Sequence, residues 1–264
     1  MKNTHKLYTD VIAKSGSKNE PLEVTANGVY EAPKGTGYSP VKVNVPQTAQ
    51  SGTLKALLDA TKSTFYLFYN YRGTSVDGLI SRTDTSSVMK MRCMFYQAIN
   101  LTKIPQLDTS KATDMSYMFY DCHKLTSIPQ LDTSSATNME SMLYGCNNLT
   151  NIPQLDTSNV TNMSEMFKNC IGLTSVPELN ASVANSLRYM FKNCTSLTSI
   201  GLYGFRYSID ISSTALGHDA IVALLNQAGT AYDSSQKITM GADKLALLSD
   251  EEKAIATNKG WTLA

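Results

Sequence analysis

Four cysteines, Cys122, Cys146, Cys170 and Cys194, recur every 24 residues, and such a thiol column could bind metal, form disulfides or simply pack. Zinc ligands come in close pairs of the CxxC kind, and the sequence has none. A disulfide needs Cα atoms within about 7 Å. Cysteines on neighbouring repeats are expected roughly 8–10 Å apart, by analogy with packed helices. The expected role is therefore a column of buried thiols that act as small hydrophobes. Cys93 falls in a different column, with Tyr117, Ser141, Glu165 and Tyr189, and is expected to be an accessible thiol.

A second column, Asp84, Asp108, Asp132, Asp156 and Asn180, shares the period. Stacked carboxylates suit calcium, which prefers oxygen ligands. Each repeat offers only one carboxylate and no glycine-rich loop to wrap an ion, so turn capping is the expected role. Glycoside hydrolysis needs an irregular pair of carboxyl groups in distinct environments, the opposite of a regular column. Histidine is scarce, and His123 occupies a variable position expected to face solvent. No GxSxG, HExxH or GxGxxG pattern occurs, nor a phosphate-binding GxxxxGKS/T loop. The expectation is a protein with no catalytic residue, no metal and no cofactor.

These columns exist because the chain repeats itself. LDTSKATDMSYMFYDCHKLTSIPQ (107–130), LDTSSATNMESMLYGCNNLTNIPQ (131–154) and LDTSNVTNMSEMFKNCIGLTSVPE (155–178) superpose without a gap, and looser copies occupy 83–106 and 179–202. Within a copy, Leu125 and Ile128 predict a short strand that Pro129 stops. Met115, Met118, Phe119 and Cys122 follow the i, i+3, i+4, i+7 spacing of a short helix. One coil of strand, turn and helix cannot bury its own apolar face, so the coils must stack. The predicted fold class is an α/β repeat, a leucine-rich-repeat-like solenoid of 24-residue coils. Phe65, Phe68 and Tyr69 repeat the spacing of Met91, Met94 and Phe95 at an offset of 26, which predicts a degenerate first coil carrying an insertion.

Both ends depart from the period. Residues 1–50 are expected to form a small N-terminal β unit and linker, with an Asn27-Gly28 hairpin turn. Residues 51–82 make the degenerate first coil, 83–202 the five repeats and 203–264 a C-terminal α/β cap. In that last segment, His218–Gln227 suits a helix, 237–240 a strand and 242–248 a short helix. Ser249 is placed as the N-cap of a final helix that begins with Asp250, Glu251 and Glu252.

The unit LDTSxxTxMxxMFxxCxxLTSIP resembles bacterial leucine-rich-repeat surface proteins of the BspA type, in the variant also found in mycoplasma lipoprotein-like repeats. The resemblance covers about 83–202 and implies a solenoid used for adhesion or protein recognition, without catalytic residues. The segment ANGVYEAPKGTGYSPVKVNV near the N-terminus is similar to tail-associated and adsorption-type proteins of phages of Gram-positive bacteria.

Function is expected at the positions that vary between copies. The position after Phe holds Tyr96, Tyr120, Tyr144, Lys168 and Lys192, and the position before Met holds Tyr117 and Tyr189 among others. Tyrosines on a rigid array offer recognition area at low entropic cost, so Tyr96, Tyr117, Tyr120, Tyr144 and Tyr189 are the candidate ligand contacts. A threonine ladder, Thr102, Thr126, Thr150, Thr174 and Thr198, offers hydroxyls to a glycan or peptide. The net charge of +1 excludes a general electrostatic grip on nucleic acid or an anionic membrane, and no apolar run spans a bilayer. The start has no apolar run of the secretory-signal kind. The expected function is a non-enzymatic phage or prophage virion component that recognises a host-surface protein or glycan. The alternative is an intracellular module that binds and modulates a host protein, which places the chain in a virion or in the cytoplasm.

Overall fold

The computed structural model describes residues 63, 64, 67, 68, 70, 71, 73–76 and 85–264. The expected N-terminal β unit over 1–50 and Asp84 lie outside the described residues. Successive 24-residue units lie side by side, joined by parallel bridges that run Ser63, Lys90, Asp114, Asn138, Asn162, Ser186. The apolar positions all turn inward: Met115, Met118, Phe119, Cys122 and Leu125 are fully buried, as are their counterparts in the neighbouring units. Phe68, Phe95 and Phe119 stack with centroids 5.2 and 5.5 Å apart. Burying each such side chain contributes roughly 1.5–3 kcal/mol.

The buried spacing read as a short helix belongs to a different backbone. Tyr117 and Asp121 sit at φ 57° and 56°, in the left-handed region that no right-handed helix passes through. The segment is instead a chain of tight turns. Met118, Tyr120 and Cys122 donate three residues back, to the carbonyls of Met115, Tyr117 and Phe119. The amides in between point to the next unit, where Met115, Tyr117, Phe119 and Asp121 meet the carbonyls of Asn138, Glu140, Met142 and Tyr144 at 2.7–3.0 Å. A helix would keep these amides for itself. Turning half of them outward ties each unit to the next, and consecutive turns still bury every third or fourth residue.

Two further expectations change. The short strand expected in each copy, as at 125–128, forms only in the last two copies among the described residues: β1 (Ser175–Asn180) runs through Pro177 rather than stopping before it, and pairs in parallel with β2 (Ser199–Tyr203). The register breaks between Val176 and Leu179, and such a bulge is where a strand tolerates a residue without an N–H. Gly201 fits over this point because a Cβ there would lie 2.7 Å from the Pro177 backbone. The first unit is also offset by 27 residues, not 26: Ser63 bridges Lys90, and Phe68 stacks on Phe95 instead of matching Met94. Leu67-Phe68 therefore takes the place of Met94-Phe95, a match of shape that aligning Phe68 with Met94 hides.

The C-terminal segment contains β3 (Ile209–Asp210), α1 (His218–Gln227), β4 (Lys237–Thr239), α2 (Ala242–Leu245), α3 (Asp250–Thr257) and β5 (Thr262–Leu263). Its three strands form a parallel sheet in the order β3-β4-β5. Ser249 accepts from the Glu252 amide while Glu252 accepts from the Ser249 amide, a reciprocal cap on α3. Phe205 and Trp261 lie 5.3 Å apart, and their core is continuous with that of the repeats. The segment is bonded onto the last unit, with Ala215 donating to the Leu197 carbonyl and Asn193 to the Ser213 hydroxyl.

Candidate functional site

Most repeated polar side chains bind the neighbouring unit. Cys122, Cys146, Cys170 and Cys194 are buried free thiols. Each donates to a backbone carbonyl 27 residues back, that of Phe95, Phe119, Leu143 or Phe167, at 3.0–3.2 Å. They are thus donors as well as hydrophobes, a role their burial alone did not suggest. Burial pushes all four up, the Cys194 thiol to about 12. Cys93, expected to be accessible, is 1% exposed. Its column is not an outer one: Ser141 is buried, and Tyr117, Glu165 and Tyr189 are half-buried. All five residues share φ between 52° and 57°.

The aspartates behave as turn caps. Asp108, Asp132 and Asp156 each accept from the backbone amide and hydroxyl of the serine two residues on, and Asn180 accepts from the Ser182 amide. Those serines hold Asp132 and Asp156 below the usual carboxylate range. A second set at Asp114, Asn138 and Asn162 makes the same turn, which the D/N alternation in the sequence could have disclosed. The threonine ladder is less available than expected. Thr102, Thr126, Thr174 and Thr198 donate their hydroxyls to the carbonyls of Thr74, Thr102, Thr150 and Thr174. His123 is half-buried rather than solvated, with Nδ1 2.9 Å from the Gly145 carbonyl.

The tyrosines are brought together. Tyr96, Tyr120 and Tyr144 stack with centroids 4.5 and 4.3 Å apart and planes within 12°. Tyr117 lies beside them, 5.8 Å from Tyr120, with the Arg92 guanidinium 4.5 Å from its centroid. Its hydroxyl donates to Glu140 Oε1 at 2.5 Å. Burial, then the bond to Glu140 and its charge, push the Tyr117 phenol up to about 12. Burial and the neighbouring Tyr144 and Asp121 raise that of Tyr120. Both therefore stay neutral at pH 7. Tyr189 stands apart from the stack, linked through Lys168, whose ammonium is 5.3 Å from the centroids of both Tyr144 and Tyr189.

Two more cations complete this strip, Lys192 of the variable column and Arg188, which the sequence did not single out. Arg188 lies 4.7 Å and Lys192 4.9 Å from the Tyr189 centroid. Arg188 donates to the Tyr189 hydroxyl at 3.3 Å, and that bond and its charge lower the phenol. Alongside the stack runs a groove of about 450 Å³ lined by Asp121, His123, Asn147, Asn169, Ile171 and Asn193. Among the described residues no helix is long and apolar enough to cross a membrane.

The sequence model of a family described as "Mycoplasma protein of unknown function, DUF285" matches residues 62–151 and again residues 126–213. Together the matches span more than half of the chain, and the protein belongs to that family. No curated protein matches it.

Proposed function

We propose that this DUF285 protein is a non-enzymatic recognition protein, an LRR-like solenoid whose tyrosine strip binds a protein on the surface of a bacterial host. The observation that carries the reading is the Tyr96–Tyr120–Tyr144 stack, flanked by Tyr117 and by the cations of Arg92 and Lys168. The backbone beneath it is bonded from unit to unit and the rings are held against one another, so less backbone and side-chain entropy is left to lose on binding. Stacked rings cover one another's faces, and what remains outward is ring edges and hydroxyls. Sugars pack on open aromatic faces, so this arrangement favours a protein over a glycan. The N-terminal likeness to phage tail-associated segments supports a place in a virion.

The test uses the full chain, Tyr120→Ala and Tyr144→Ala against surface-protein extract and cytosol of the host strain, with purified virions probed for the chain. Expected are retention on the surface extract, a loss of tenfold or more in at least one variant without a change in melting, and detection in virions. Retention that neither substitution affects, or full affinity in residues 1–50 alone, overturns the reading. Absence from virions together with a cytosolic partner that both substitutions release supports an intracellular module instead.

A further inference from the structure

Along the strip the charge is uneven. At Tyr117 the guanidinium of Arg92 is balanced by Glu140, which accepts the phenol proton bond. At Tyr189 three cations, Lys168, Arg188 and Lys192, surround one ring at 4.7–5.3 Å. Lys168 pairs with Glu165 at 3.0 Å, and the charge of that one carboxylate also reaches Arg188. No ion pair holds Arg188 or Lys192 among the described residues. Like charges gathered on one ring repel each other, and the whole chain carries a net charge of only +1, so the excess is local. Beside it opens a cleft of about 300 Å³ between the last repeat and the C-terminal unit. Arg188 and Tyr189 form one wall; Tyr207, Ser208 and Asp210 belong to the other. Asp210 is the one carboxylate there, and its Oδ1 accepts the Ser212 amide.

We infer that the Arg188–Tyr189–Lys192 corner and its cleft form an anchor for an acidic side chain of a polypeptide partner. A guanidinium at the mouth of a concave site presents a planar fork that matches a carboxylate, and Lys192 adds a second charge at the same corner. The phenol of Tyr189 holds Arg188 in place, because the hydroxyl accepts from Nη2 while the ring faces the cation. An acidic segment crossing the strip places a carboxylate here and meets ring edges and hydroxyls along the tyrosine stack. The site rests on the recognition reading above and gives it a chemical preference at one end.

The test measures fluorescence anisotropy of a labelled octaglutamate peptide with the full chain at low and moderate salt, with octaglutamine and polygalacturonate as comparisons. Expected are salt-sensitive binding of octaglutamate, none of octaglutamine, and roughly tenfold weakening in the Arg188→Gln, Lys192→Gln double variant. Lys103→Gln with Lys124→Gln makes the same change in net charge on other repeats and is expected to leave the affinity unaltered. Arg188→Lys, which keeps the charge but loses the fork, is expected to fall between. Equal weakening by both double variants means general attraction and overturns the site, as does unchanged binding in the Arg188, Lys192 variant. Polygalacturonate competing as well as the peptide overturns the polypeptide assignment. Host-extract binding of the same variants separates the two readings: Tyr120→Ala losing the extract while octaglutamate finds no site leaves the recognition function standing without this anchor.

Discussion

Cys146 shows how one side chain serves two ends at residue scale. Its thiol fills a position of zero exposure and donates to the Phe119 carbonyl of the preceding unit at 3.2 Å. Cys146→Ala opens a small void and leaves that carbonyl without its donor, a loss of about 1–2 kcal/mol measurable by urea unfolding. Because all five cysteines are buried thiols outside any disulfide, none is expected to react with a thiol reagent in the native protein, and all five after unfolding. Cys93 reacting ahead of the rest would contradict its burial. An intact mass two hydrogens short would show a disulfide in place of these thiols, whose units, bridged backbone to backbone, pack closer than the roughly 8–10 Å that helix packing suggested.

At the scale of elements, the left-handed turns decide which residues each unit accepts. Gln97, Asp121, Gly145, Asn169 and Asn193 occupy one such column, at φ 56–70°. Asn, Asp and Gly tolerate that conformation, whereas a β-branched side chain does not. Asn169→Val is therefore expected to destabilise by about 2 kcal/mol, with Asn169→Gly far milder because it loses only the exposed bond from Asn193; chemical unfolding of both compares them. In the C-terminal unit, His218 joins the starts of α1 and α3, with Nδ1 2.8 Å from Asp219 and Nε2 2.9 Å from Glu252. The bond to Asp219, with the charge and bond of Glu252, raises its pKa above the ordinary 6.5. A raised folded-state pKa adds stability that is full below the unfolded value and fades as pH rises through the folded one. The stability difference between the protein and His218→Gln should thus shrink from pH 5.5 to pH 8.5, followed by denaturant midpoints. A pH-independent difference would mean that the histidine contributes only its shape.

Across the whole molecule, each unit depends on its neighbours more than on itself. The amides of Phe95 and Phe119 end on carbonyls of the following unit, and their rings stack on each other. A nearest-neighbour chain of this kind transmits damage outward and weakens it with distance. Phe119→Ala should cost about 3–5 kcal/mol. Hydrogen exchange should then speed most at Phe95, at the substituted position itself and at Leu143, and least in α1 and α3, which rest on the C-terminal core around Phe205 and Trp261. Uniform acceleration across the molecule would show a single cooperative unit instead.

Periodicity alone made much of this legible. Repeat length, the inward column of Met, Phe, Cys and Leu, and the Asp caps follow from residue type and spacing, because burial and local side-chain bonds act within one unit. Helix α1 covers the residues its apolar pattern indicated, and Ser249 caps α3 with Glu252 as its acidic first turn foretold. The turn chain was not legible: the same i, i+3, i+4, i+7 spacing serves a helix or consecutive turns, and only amides reaching the next unit choose between them. For the same reason the sequence placed Cys93 outside and left the threonine hydroxyls open. The tyrosine column was visible as a list of residues, but its stack, and the approach of Lys168 to the Tyr189 ring beside Arg188 and Lys192 of that ring's own unit, exist only because stacking sets successive units beside each other.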